Sequence, residues 1–360
     1  MNSIKRKNLI LPPRLIRLLL YLFTSGLILM IFIVHPGING YSAAMFNDMI
    51  YGHAHRPFVY RTLVPSVVRL IADITPESVE TAFVNHKNSS FTLTRFAELS
   101  GIDDEYVYEF YITIALLLIL FYGLALVTRR LIKEYYDFPN YVSDFAPIAA
   151  LLILPLFFRY CNYIYDPATL FLASLALLFI STRNRFLFYI VFILAAINKE
   201  TAILFSCLFF VKEYRTLTRK TLIGHLIVQL LIWGAIKSMI NIAFQNNPGS
   251  IAEFHLVNYN LQMIFRPFGI LYFAAVVFIF FRLIKYRWQE KSMFLRRGFF
   301  VVFIPMAVLA LFLGYIDEFR QYYEVYPIAF LLILPSVLDI FGINTYYRQQ
   351  NAENYRPYSR

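Results

Sequence analysis

Charge is what this chain of 360 residues has least of: Asp, Glu, Lys and Arg make up 15% of it, against 59% hydrophobic residues. A soluble domain carries closer to a quarter charged residues, so the composition excludes an ordinary water-soluble globule and implies a polytopic membrane protein. Cysteine is almost missing. Its two residues, Cys161 and Cys207, lie in or beside apolar runs, which excludes a disulfide framework and a thiolate zinc site. A cleavable signal peptide is not expected either, because His35-Pro36-Gly37 after the first apolar run lacks a small-x-small pattern. The formal charge of +11 would suit nucleic acid in a soluble protein. Here the basic residues sit between apolar runs as topology signals, and no nucleic-acid partner is expected.

What is present is apolar, aromatic and ordered. By the positive-inside rule, Lys5, Arg6, Lys7, Arg14 and Arg17 place the N-terminus in the cytoplasm. Apolar runs then follow at Leu15–Val34, Tyr108–Val127, Val142–Phe158, Ala168–Ile180, Leu222–Phe244, Pro267–Ile284, Phe299–Leu313 and Ile328–Ile340. Between Arg183 and Lys212 lie two shorter runs, Phe186–Ile197 and Thr201–Val211, on either side of Asn198-Lys199-Glu200. At about 1.5 Å per residue, neither reaches across a ~30 Å hydrocarbon core. Basic residues flank both outer ends, so the pair is expected to form short helices with its turn in a polar, outward-facing cleft. The fold class is therefore all-α: a polytopic membrane helical bundle of about ten membrane segments, both termini inside. Residues 1–345 form a single transmembrane domain and 346–360 a cytoplasmic tail. The long outer segment 36–107 is expected to hold amphipathic interfacial helices at Tyr41–Ile50 and Phe58–Ile74, with a polar loop over Ser78–Ser100.

The chemistry collects at the outer side. Asp48 to Pro65 crowds an acid, two histidines and two arginines into a stretch too polar for lipid. Asp48, Arg56, Arg61, Asp166, Lys199, Glu200, Glu318 and Arg320 all map to outer loops or to the outer ends of spans. Ionisable groups beside membrane spans are costly, face cavities or one another, and are functional candidates. Their plain alternative is mutual pairing that steadies loop turns. His53 and His55 beside Asp48 are candidate ligands for a divalent cation, Mg²⁺ or Mn²⁺, although an i,i+2 spacing alone is a loose pattern. Lys237, near the middle of an apolar run, must snorkel or pair; the sequence assigns it no role.

The strings Arg56-Pro-Phe-Val-Tyr-Arg61-Thr-Leu-Val-Pro65, Tyr165-Asp166-Pro167, Asn198-Lys199-Glu200-Thr201 and Asp317-Glu318-Phe-Arg320, with the long first outer loop, resemble the C-type (GT-C) integral membrane glycosyltransferases. That resemblance covers most of the chain in architecture. It implies a polyprenyl-phosphate-linked sugar as donor and a membrane-borne or small acceptor, whether glycan, lipid or protein. It also implies an extracytoplasmic site in the plasma (inner) membrane. Asp48, at the position of the family's first-loop acid, would be the general base. Arg61 and Arg320, then Arg56 and Lys199, would bind the lipid phosphate, while Glu200, Glu318 and Asp166 orient those cations or bind sugar hydroxyls. The chain lacks the large soluble C-terminal domain that many members carry. A transporter or flippase for a lipid-linked or anionic substrate is the rival reading, because an interrupted helix pair is a feature of transporter binding sites.

Overall fold

The computed structural model describes residues 12–90, 94–95, 102 and 104–343. Lys5, Arg6, Lys7, Asp103 and the expected tail at 346–360 lie outside the described residues. In chain order the helices are α1 (Pro13–Phe32), α2 (Phe46–Tyr51), α3 (Leu63–Asp73), α4 (Glu77–Ser89), α5 (Val107–Tyr135), α6 (Asn140–Ile153) and α7 (Asp166–Ser181). They continue with α8 (Arg185–Asn198), α9 (Leu204–Glu213), α10 (Arg219–Ala243), α11 (Leu261–Phe265), α12 (Pro267–Lys285), α13 (Met293–Leu313) and α14 (Tyr326–Ile340). Among the described residues no strand forms. Six of the described helices (α1, α5, α6 with its following 3-10 turn, α10, α12 and α13) are long and apolar enough to cross a membrane. In hydrocarbon only a helix or a closed barrel satisfies its own backbone, and these runs take the helical solution.

Two polar ends bound the bundle. At one, Arg17 and Arg129 both grip Asp144, at 3.2 and 2.6 Å, and join α1, α5 and α6. At the same end Arg287 pairs with Asp339 at 2.8 Å. Lys291 caps the last turn of α12, donating to the Ile284 carbonyl at 2.8 Å. The other end carries ion pairs around the cavity described below and is tied together by asparagine side chains. Asn162 donates to the Phe32 carbonyl at 2.7 Å, where α1 ends. Asn260 donates to the carbonyls of Leu311 and Gly314 at 2.7 and 2.8 Å and accepts from the Ile316 amide at 2.9 Å, which closes the end of α13. The segment after α10 lies against the first loop, where Arg56 Nη2 donates to the Gly249 carbonyl at 2.7 Å. Gly249 has φ +89, and a Cβ there would stand 2.5 Å from the Arg56 carbonyl oxygen, so only glycine allows this approach.

The short pair α8 and α9 is a hairpin. Arg185, at the start of α8, pairs with Glu213, at the end of α9, at 2.8 Å, and Arg183 approaches the same carboxylate at 3.7 Å. Both arms therefore start and finish at the ion-paired end. The chain turns at Lys199, which is extended (φ −156, ψ 146) and breaks the helix. The arms have 14 and 10 residues, about 21 and 15 Å at the usual rise. Phe188, Phe192 and Phe209, each at most 2% exposed, pack the hairpin. Because α9 is short, the space beyond its tip, between α10 and α13, is left open, and the cavity described below occupies it.

The first outer segment differs from expectation in one respect. Glu77–Ser89, part of the expected polar loop, is helix α4. Phe83 is the reason: its ring meets Tyr108 and Tyr111 of α5 at 5.3 and 5.1 Å, and Glu77 and Glu80 sit in the first turn, where a helix favours acids. The two amphipathic stretches are present as α2 and α3, with a 3-10 turn at Phe58–Tyr60.

Candidate functional site

A cavity of about 580 Å³ opens at the asparagine-held end. Its wall is drawn from segments far apart in sequence: the first loop (Tyr41, Phe58, Arg61), the α6–α7 loop (Tyr163, Tyr165), the hairpin tip (Lys199, Glu200), α10 (Trp233, Lys237) and the α13–α14 loop (Glu318, Arg320). One side is aromatic and ionic. The other, toward the crevice between α10 and α13, carries Met306, Leu309 and Leu313.

The ionic side is built from locked pairs. Arg61 is 8% exposed and donates to Glu200 Oε1 at 2.8 Å, with its guanidinium 5.0 Å from the Tyr165 ring. Arg320 donates to Glu318 Oε1 at 2.6 Å, approaches Asp166 Oδ2 at 3.6 Å and lies 4.3 Å from the Tyr163 ring. Asp166, 2% exposed at the start of α7, also accepts from the Tyr163 amide at 3.1 Å. Lys199 Nζ reaches behind the wall to Glu324 Oε1 at 2.9 Å, and Thr201 donates to the same oxygen. Trp233 Nε1 donates to the Glu200 carbonyl at 2.9 Å, which ties α10 to the hairpin tip. Burial pushes the Glu200 carboxyl up, but Arg61, Lys237 and Lys199 outweigh it and hold the group at about 2. Burial also raises the Cys161 thiol on the cavity wall. Arg320 offsets part of that rise, while Glu318 and Asp166 add to it.

Of the residues expected from the sequence, Arg61, Asp166, Lys199, Glu200, Glu318 and Arg320 line this one cavity. Asp48 and Arg56 do not. Asp48 is in α2, half-buried, with its backbone carbonyl accepting from the amides of His53 and Ala54 at 2.8 and 3.0 Å. His53 and His55 are exposed, and among the described residues no three His, Cys, Asp or Glu side chains are grouped as a metal site would need. Exposed and without a third ligand among the described residues, His53 and His55 with Asp48 do not fit a divalent-cation site. Two further residues belong to the site: Lys237, to which the sequence assigns no role, and Trp233, to which it does not point. The available signal was a lysine in an apolar run, i,i+4 from a tryptophan. Comparison with known families, with curated proteins and with solved structures finds no match.

Proposed function

We propose that this chain is a membrane glycosyltransferase that moves a sugar from a polyprenyl-phosphate donor to an acceptor at the extracytoplasmic side. The observation that carries the reading is the two-sided cavity, with cations, carboxylates and aromatic rings on one wall and an apolar wall open toward lipid-facing helices. A sugar phosphate suits the first and a lipid chain the second. The helices α7, α8, α9 and α14, added to the six of membrane length, make the proposed ten segments. The ion-paired end, rich in Arg and Lys, is then cytoplasmic, in the plasma (inner) membrane.

In the proposed reaction the acceptor hydroxyl gives its proton to a carboxylate as its oxygen bonds to the anomeric carbon. The bond from that carbon to the phosphate oxygen breaks, and the lipid phosphate leaves with the electron pair. Fixed cations around the phosphate stabilise the developing charge. The resemblance assigns the base to Asp48, but the cavity favours Glu200. Glu200 Oε2 is buried beside the cavity and hydrogen-bonded to nothing among the described residues. Lys237 is one of the cations that hold it at a low pKa, and a phosphate that neutralises this lysine raises the basicity of Glu200 toward the range a general base needs.

The test is transfer from a panel of radiolabelled polyprenyl-phosphate sugars by purified protein in lipid. Glu200→Gln should lose turnover by 10²-fold or more with donor binding retained, and Asp48→Asn should keep it. The opposite pattern returns the base to Asp48. A parent without turnover on the whole panel removes the transferase reading and favours the transporter or flippase, for which the helix break at Lys199 on a substrate-sized cavity is the supporting feature.

A further inference from the structure

Three of the four Lys and Arg residues on the cavity wall already own a carboxylate: Arg61 has Glu200 at 2.8 Å, Lys199 has Glu324 at 2.9 Å and Arg320 has Glu318 at 2.6 Å. Lys237 has none. The residue is 8% exposed, and its Nζ is buried and hydrogen-bonds to nothing among the described residues. It belongs to a helix whose other face is lipid-like: Val228, Leu231, Met239 and Ile242 are exposed, whereas Gln229 and Lys237 point inward. Trp233 and Asn241, one turn to either side of Lys237, line the same cavity. Across from it, Glu200 Oε2 is unsatisfied in the complementary sense, a buried acceptor without a donor. The two atoms do not hydrogen-bond to each other, although the ammonium is near enough to help hold the Glu200 carboxyl low. An ammonium left buried and unpaired is costly, and within a membrane-length apolar helix it marks a ligand or ion site by default. An anion placed here is gained without breaking an existing pair. At Arg61 or Arg320 it would have to compete with a carboxylate already bound.

We propose that Lys237 receives the phosphate of an amphiphilic ligand whose polar head lies beside Glu200 Oε2 and the Trp233 indole. The ligand's hydrocarbon chain leaves between α10 and α13 over Met306, Leu309 and Leu313. The assignment rests on the cavity being the site of a lipid-linked sugar phosphate, and gives the phosphate to the lysine, with Arg61 and Arg320 as positioning residues for the carboxylates.

The experiment measures binding to the full chain in lipid nanodiscs, with a polyprenyl monophosphate, the matching uncharged polyprenol and inorganic phosphate as probes. The parent should bind the phosphate lipid at least tenfold more tightly than the polyprenol. Lys237→Gln should lose that tenfold preference while its affinity for polyprenol stays unchanged, and Lys237→Arg should recover most of it. The ligand-free Gln variant, relieved of an unpaired buried charge, should melt no lower than the parent, and Lys237→Met should behave likewise. Inorganic phosphate that competes with the same lysine dependence supports the subsite and adds free phosphate as a ligand; without competition, the phosphate must arrive on the lipid. A Gln variant that keeps the preference, or a parent without one, overturns the proposal. Preference without turnover on any sugar donor would defeat the transferase reading and leave the Lys237 subsite standing.

Discussion

Arg320 is gripped from three sides, by Glu318 at 2.6 Å, by Asp166 at 3.6 Å and by the face of Tyr163 at 4.3 Å. Both carboxylates are buried, so Arg320→Ala strands two acids and should cost about 3–5 kcal/mol, read as a lower melting temperature in lipid or detergent. Arg320→Lys keeps the charge but loses the fork and the stack, and should fall between the two. An unchanged melting temperature for the Ala variant would contradict the pairing. Glu200 supplies a pH test. Its folded pKa of about 2 lies below the ordinary carboxyl value, so its pairing with Arg61 is fully present above about pH 4 and fades as the pH falls toward 2. The melting temperature of the ligand-free parent should therefore show no Glu200 step between pH 8 and 5. Arg61→Gln removes the strongest of the cations holding that pKa down and should bring a step into the range below pH 5. Apart from Lys237, the acids and bases of this cavity were legible from charge alone, because charged residues at the ends of apolar runs have few other places to go. Asp48, His53 and His55 were grouped with them only by nearness in the chain. Gly52, left-handed at φ +77, turns the chain after α2, and the cation of that loop that reaches the cavity is Arg61.

At the scale of elements, the hairpin was readable and its consequence was not. Two runs too short to cross, with basic residues at both outer ends, leave little choice but a return to the same side. That the missing length of α9 opens a cavity between α10 and α13 depends on how the helices pack, which no local pattern carries. Helix α4 was missed for a related reason, since Phe83 is one apolar residue in a polar stretch and gains its meaning from Tyr108 and Tyr111. The hairpin predicts that Arg185→Cys with Glu213→Cys will cross-link within one chain through a short bismaleimide. In a continuous helix those positions would stand about 42 Å apart, and an absent cross-link would contradict the return. Asn198, an obvious place for a sidedness label in the sequence, is 1% exposed and donates to Thr169 Oγ1 at 2.9 Å, so the label belongs on Glu200 instead. Asn260→Ala should lower the melting temperature by removing the side-chain hydrogen bonds that close the end of α13, about 2–4 kcal/mol in all.

Across the whole molecule, one end is closed by ion pairs and the other opens on a cavity that joins ionic, aromatic and apolar walls. The central claim is that this cavity is where the lipid-linked substrate sits. Cys161, on its wall, reports on that directly in a Cys207→Ser background. Its raised thiol should alkylate slowly at pH 7 and about tenfold faster per pH unit until the pH passes the ordinary thiol range. The decisive measurement is the alkylation rate of Cys161 with and without a polyprenyl-phosphate sugar, in lipid at pH 8.5. The account predicts strong protection by the phosphate lipid, weak protection by the uncharged polyprenol, and loss of the difference in Lys237→Gln. An alkylation rate that no lipid changes would mean that the cavity is not the binding site.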